Sequence, residues 1–128
     1  MTILLDSVIL IDHFNDIPAA TAFIRMVHST AAISVVTRAE VITGFKENDI
    51  GRAMPLIDIF PVLDITKDIA DLTARLRREH RWKLPDAFQA AIAQTHKLQL
   101  ATRNTKDFDP ARHAFVTIPY SIATKASD

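Results

Sequence analysis

The chain has 128 residues, with 15 basic and 15 acidic side chains, 48% hydrophobic residues, 2 Gly and no Cys. These figures suit one compact domain over 1–128 and exclude a disordered or low-complexity chain, a disulfide scaffold and a thiolate metal site. A net charge of zero leaves the question of nucleic acid to the local distribution of charge. There is no basic-then-apolar leader and no apolar run of membrane-spanning length, so a soluble cytoplasmic protein is expected.

An apolar run ending Leu4-Leu5 opens the chain and reads as a strand buried on both faces, cut off by Asp6. Ser7 to Phe14 follows as a short buried helix. Asn15-Asp16-Ile17-Pro18 then makes a turn leading into a helix over Ala19–His28, with Ala19, Ala22, Phe23, Met26 and Val27 facing inward. Ala32–Val36 is a second strand, and Thr37 starts a helix running through Ile42 and Phe45 to Lys46. Glu47 to Arg52 reads as a loop, followed by a short helical piece through Met54, Leu56 and Ile57. Phe60–Ile65 is the third strand, with its proline near the start.

Thr66–Arg81 is the clearest helix, apolar at Ile69, Ala70, Leu72, Thr73 and Leu76 and basic in its latter half, as the helix dipole favours. Pro85–His96 is another, with small residues at Ala87, Ala90, Ala91 and Ala93 that allow close packing. Leu98–Thr102 and Phe115–Ile118 complete five strands, and the residues from Ala123 read as a loose tail. Strands alternating with helices imply right-handed crossovers, hence a parallel sheet covered on both faces.

Four carboxylates occupy sites of one kind. Asp6 ends the first strand, Glu40 lies one turn into the helix after the second, and Asp107 follows the fourth. Asp86 opens the helix before the fourth strand, which an antiparallel crossover brings to the same rim. In open α/β folds that rim is where ligands bind. Crowded carboxylates repel one another and are tolerated when a divalent cation neutralises them, and hard oxygen donors without His or Cys point to Mg²⁺ or Mn²⁺. Each acid also has a local explanation. Thr37-x-x-Glu40 has the form of a capping box, the helix dipole favours Asp86, and Asp107 suits a turn.

The stretches Leu4-Leu5-Asp6-Ser7-Val8-Ile9-Leu10-Ile11-Asp12, Ile33-Ser34-Val35-Val36-Thr37-Arg38-Ala39-Glu40, Leu84-Pro85-Asp86-Ala87 and Ala101-Thr102-Arg103-Asn104-Thr105-Lys106-Asp107-Phe108 resemble the motifs of the PIN-domain ribonucleases. More narrowly, they resemble the VapC-type toxins of bacterial and archaeal toxin–antitoxin pairs. The resemblance implies a three-layer α/β/α fold around a parallel sheet of about five strands. It also implies an Mg²⁺ or Mn²⁺ site of Asp6, Glu40, Asp86 and Asp107, hydrolysis of RNA leaving a 5′-phosphate, a homodimer, and a VapB-type antitoxin that blocks the site. Two departures stand out. Val8 occupies a position where the family often has Asn, and members differ over whether the position of Asn104 or that of Asp107 carries the fourth acid.

Ser7, Thr102 and Asn104 are candidates for orienting the carboxylates or water. Arg38 and Arg103, beside the acids in sequence, are the first candidates for RNA contact. Arg81 and Lys83, with Arg75, Arg77, Arg78 and Trp82, form a second group, for which the alternative is a solvated helix end with Trp82 in the core. The five histidines show no ligand spacing. Ala19, Phe23, Met26 and Val27 with Ile42 and Phe45 offer an apolar groove for an amphipathic antitoxin segment. Two rival functions are a non-catalytic module that binds RNA or protein and a receiver-type phosphoacceptor domain. The latter would use Asp64 after the third strand, but lacks the paired acids it needs at Ser7-Val8.

Overall fold

The computed structural model describes residues 1–122, so the expected loose tail over 123–128 lies outside the described residues. Five parallel strands, β1 (Ile3–Leu5), β2 (Ala31–Ser34), β3 (Val62–Leu63), β4 (Gln99–Ala101) and β5 (Val116–Thr117), lie in the order β3-β2-β1-β4-β5. Winding proceeds outward from β1 to β3 on one side and from β4 to β5 on the other. The loops after β1 and β4 therefore diverge, opening a crevice at the carboxyl ends of the two central strands.

Side chains alternate across the sheet, so neighbouring residues enter different cores. Leu4, Leu100 and Val116 pack with α5 (Lys67–His80) and α6 (Leu84–Thr95). Leu5, Ala31, Ile33 and Ala101 pack beneath α1 (Ser7–Phe14), α2 (Pro18–Val27), α3 (Val35–Thr43) and the one-turn α4 (Met54–Ile57). This is the expected α/β/α sandwich. Ala87, Ala90, Ala91 and Ala93 of α6 are all fully buried. Larger side chains there would overpack the helix–sheet interface at about 1–3 kcal/mol each.

Several local expectations shift. The strands are shorter than the apolar runs, and Glu47–Arg52 forms a 3₁₀ helix where a loop is expected. The buried stripe of α2 is Ala20, Phe23, Ile24 and Val27, whereas Met26 is 73% exposed. Ala19 and Ala22 are exposed too, because packing selects a face one position along from the expected one. The helix expected to start at Thr37 starts earlier. Ser34 is its N-cap and accepts from Thr37 N at 3.0 Å, so Val35 and Val36 are helical. Trp82 is 4% exposed, packs on Phe108 and donates from Nε1 to the Asp107 carbonyl at 2.9 Å. It belongs to the core and is not free to stack on a base.

Candidate active site

The strand register builds the site. Leu4 pairs with Ala32, and Leu5 with Ala101. Continuing both ladders brings Ser34, Asp6 and Thr102 into a row across three strand ends. Two-residue alternation puts Asp6 on the same face as Leu4, the face covered by α6.

Asp6 caps α1, and its carboxylate is 6% exposed. Its Oδ1 accepts from Ser7 N at 2.8 Å and from Gln89 Nε2 at 3.3 Å, while Oδ2 accepts from Thr102 Oγ1 at 2.7 Å. These donors orient the group and favour its charge, but burial dominates and pushes its pKa up. Ser7 Oγ donates to Glu40 Oε1 at 2.9 Å, tying the first acid's neighbour to the second acid. Glu40 stands in the second turn of α3, and with Ser34 as cap the expected Thr37-x-x-Glu40 capping box does not form. Burial, then the Asp6 charge, raise its pKa against the Ser7 hydrogen bond.

Asp86 lies in the first turn of α6, which runs back along the sheet and so presents its N-terminus to the strands' carboxyl ends. Burial pushes its pKa up to about 6, helped by the charges of Asp6, Asp107 and Glu40 and opposed by Lys83. A cleft of about 430 Å³ is lined by Asp6, Ser7, Val8, Glu40, Asp86, Arg103, Asn104, Thr105 and Lys106. Asp107 does not line this cleft but the pocket beside it; Asn104, which lines the cleft, donates from Nδ2 to Asp107 Oδ2 at 3.0 Å, and its backbone N–H donates to Thr102 Oγ1 at 3.1 Å. Val8 adds an apolar wall and no side-chain donor.

Among the described residues no group of three or more Asp, Glu, His or Cys side chains lies close enough together to hold a metal ion. The donor set instead fits a hydrated ion, since Mg²⁺ keeps several waters and takes only one or two carboxylates directly. Burial is the largest cause of the raised pKa values of Glu40 and Asp86, and neighbouring carboxylate charge adds to it, a charge that a divalent cation would relieve.

The expected RNA contacts fare differently. Arg38 pairs with Asp58 at 2.8 Å. Arg103 is held bidentate by Asp12, from Nε at 2.8 Å and Nη2 at 2.9 Å. Tyr120 Oη donates to the same carboxylate at 2.8 Å. Asp12 is 4% exposed, so Arg103 is a fixed cation at the cleft wall and not a mobile arm. Arg81 and Lys83 are exposed. Asp64 is exposed beyond the outer strand β3 and does not line the cleft.

Sequence reasoning missed two buried polar residues, Gln89 and Asp12. Gln89 joins α6 to three other elements. It accepts from Ser34 Oγ at 2.7 Å and donates to Thr37 Oγ1 as well as to Asp6. The available signal was one amide within a stripe of alanines, and for Asp12 one acid within an apolar helix.

The PIN domain family profile matches residues 3–114. The chain is 37% identical over 113 residues to ribonuclease VapC10 of Mycobacterium tuberculosis, covering 83% of this chain and 85% of that relative. A solved toxin–antitoxin complex from Klebsiella pneumoniae contains a chain with a TM-score of 0.83 and 38% identity, covering 94% of this chain and 100% of that one. FitAcB from Neisseria gonorrhoeae shares the fold, with a TM-score of 0.77 at 22% identity over 92% of this chain and 98% of that one. Sequence and fold agree: the chain belongs to the PIN-domain family, in its VapC-type branch.

Proposed function

We propose that the protein is a metal-dependent endoribonuclease, the toxin of a VapBC-type pair. The observation that carries this reading is the cleft at the switch point. There Asp6, Glu40 and Asp86 all have raised pKa values, and Asp86 is under the charges of the other three acids.

Asp6, Glu40, Asp86 and Asp107 would hold one or two Mg²⁺ or Mn²⁺ ions, some through water. When bound, the metal supplies a water of lowered pKa and offsets charge on the phosphate oxygens. The chain's residues prepare for this. Thr102, Ser7 and Gln89 fix the Asp6 carboxylate, and Ser7 orients Glu40. Asn104 steadies Asp107, and Arg103 offers a fixed positive charge at the wall for the phosphate.

Relatives solved as toxin–antitoxin complexes support an antitoxin partner, and a homodimer is part of the same reading. The antitoxin segment would use the groove between α1 and α3, of about 320 Å³, where Phe14 and Phe45 meet edge-to-face beside Ile11 and Val41. The originally expected groove fails in part, since Phe23 and Val27 are core.

Antitoxin-free protein should cut a structured RNA in Mg²⁺ or Mn²⁺ and stop in EDTA. Asp6→Asn and Asp86→Asn should each abolish cutting with an unchanged circular dichroism spectrum. Cleavage persisting in EDTA or in either variant would overturn the mechanism. Growth arrest on expression, reversed by the genomic neighbour, tests the toxin role.

A further inference from the structure

An acidic cleft repels RNA until metal enters, and the chain has no net charge to draw RNA in. Attraction must come from a local track of positive charge. Such a track starts at Lys106. This residue lines the acidic cleft and also a second pocket of about 220 Å³, enclosed by the end of α5 and the loop between β4 and β5. Arg81, Arg112, His80 and His113 line that pocket together with Trp82 and two acids, Glu79 beside His80 and Asp107 at the side of the acidic cleft. Arg81 and Trp82 then join it to a third hollow carrying Arg77 and Arg78.

The cations along this path are free to bind. Among the described residues none of Arg77, Arg78, Arg81, Lys106 and Arg112 forms an ion pair. All five are exposed. By contrast Arg38 and Arg103, the cations nearest the acids in sequence, are each paired within the protein.

The pocket's floor is rigid. His80 stacks on the buried Trp82 with ring centroids 4.2 Å apart, and His113 meets both rings edge-on. Trp82 is in turn bonded to the backbone of Asp107. The floor and the fourth acid are thus held in one frame. Arg81 has left-handed backbone, φ 58°, at the end of α5, where glycine is the residue with no steric cost. Burial, then the charges of His80 and Arg112, lower the His113 pKa against the charge of Asp109.

We propose that this path binds the phosphodiester backbone of the single-stranded RNA flanking the scissile bond. The strand leaves the acidic cleft over Lys106, places a phosphate between Arg81 and Arg112, and continues towards Arg77 and Arg78. The proposal rests on the ribonuclease reading of the cleft.

The test is fluorescence anisotropy of a labelled oligouridylate with the full chain in EDTA, over a series of KCl concentrations. Arg81→Gly and Arg112→Gln should each weaken binding about fivefold at about 0.1 M salt and lower the slope of log affinity against log salt by about 0.7, the value of one lost phosphate contact on a single strand. Arg25→Gln, on the exposed side of α2, should change neither. Unchanged affinity and slope in both pocket variants would overturn the proposal, as would wild-type protein that shows no salt-dependent binding. So would variants that lose a poly-glutamate peptide while keeping the oligouridylate, which would assign the surface to an acidic protein. Because binding is read without metal, absence of cleavage would count against the nuclease reading alone, and unchanged binding against the track alone.

Discussion

Gln89 Nε2 lies 3.3 Å from Asp6 Oδ1, joining residues 83 positions apart in the chain. The same amide nitrogen donates to Thr37 Oγ1, and the amide oxygen accepts from Ser34 Oγ. One side chain, 1% exposed, therefore ties α6 to the ends of β1 and β2 and to the start of α3. Gln89→Ala would leave the Ser34 hydroxyl and an oxygen of Asp6 short of partners in a site closed to solvent. Each buried group so orphaned costs about 1–3 kcal/mol, and the cavity adds to this. Urea melts should show a loss of about 3 kcal/mol, with cleavage falling further than the unfolded fraction explains because Asp6 is no longer fixed. Gln89→Glu keeps the shape but sets a second carboxyl against Asp6, and its stability should recover as pH falls.

Asp12 is the anchor of a second network, in which Arg103 and Tyr120 share one buried carboxylate. Burial, then the bond to Asp12, push the tyrosine pKa up, so it remains a donor throughout the working range. Tyr120→Phe removes one hydrogen bond to a charged acceptor and should cost about 1.5–3 kcal/mol. Arg103→Lys keeps the charge but loses the two-pronged geometry. A double-mutant cycle between positions 103 and 120 should show non-additivity, since both act on Asp12. Additive losses would mean that the two bonds are independent.

The order of strands and helices was legible because short branched, apolar stretches alternate with amphipathic ones, and because α5 carries a Thr66 cap and a basic last turn while α6 opens on Pro85 and Asp86. The shared cleft of Asp6, Glu40 and Asp86 was legible because strand ends and a helix start are visible in sequence, whereas Asp107 falls in the pocket beside it. Details fixed by tertiary contact were not. In α2, two apolar stripes one position apart compete, and only packing against α1 and the sheet selects Phe23 and Ile24 over Met26. Val35 and Val36 favour strand by propensity, but the Ser34 cap starts a helix there. The Asp12–Arg103 pair spans 91 positions and has no local signature. The His80–Trp82–His113 stack likewise joins two elements that nothing in the sequence places together.

Asp86 gives a pH dependence whose sign follows from its shift. Its pKa is about 6 in the folded protein against the ordinary 3.8 of an aspartate, so the native state holds this proton to higher pH than the unfolded chain does. Between those values the unfolded state binds fewer protons, and stability falls as pH rises through the window. The group is half-buried, so solvent screening reduces the effect to about 1 kcal/mol. Metal-free wild type should therefore lose stability from pH 4 to pH 7 relative to Asp86→Asn, and the gap should stay constant above that. Mg²⁺ affinity should drop below about pH 6, because the ion competes with the proton. Parallel stability profiles for the two proteins would remove Asp86 from the cluster.

Glu40 is open to a direct test because its rival explanation, a helix cap, has been taken over by Ser34. Glu40→Gln retains an oxygen that can accept from Ser7 Oγ, so the hydrogen bond at 2.9 Å survives the change. What disappears is one negative charge facing Asp6, which helps raise the Glu40 pKa. In EDTA the variant should be more stable than wild type by about 0.5–1 kcal/mol, a value kept small by the screening of a partly exposed group. In millimolar Mg²⁺ the order should narrow or invert. Metal bound to the native state stabilises it by RT ln(1 + [L]/Kd), and a site short of one carboxylate binds more weakly. The measurement is a set of four melting curves, wild type and variant, each with and without Mg²⁺. Equal Mg²⁺-induced shifts in Tm for the two proteins would mean that Glu40 does not share the ion with Asp6, Asp86 and Asp107, and that the site has three acids instead of four.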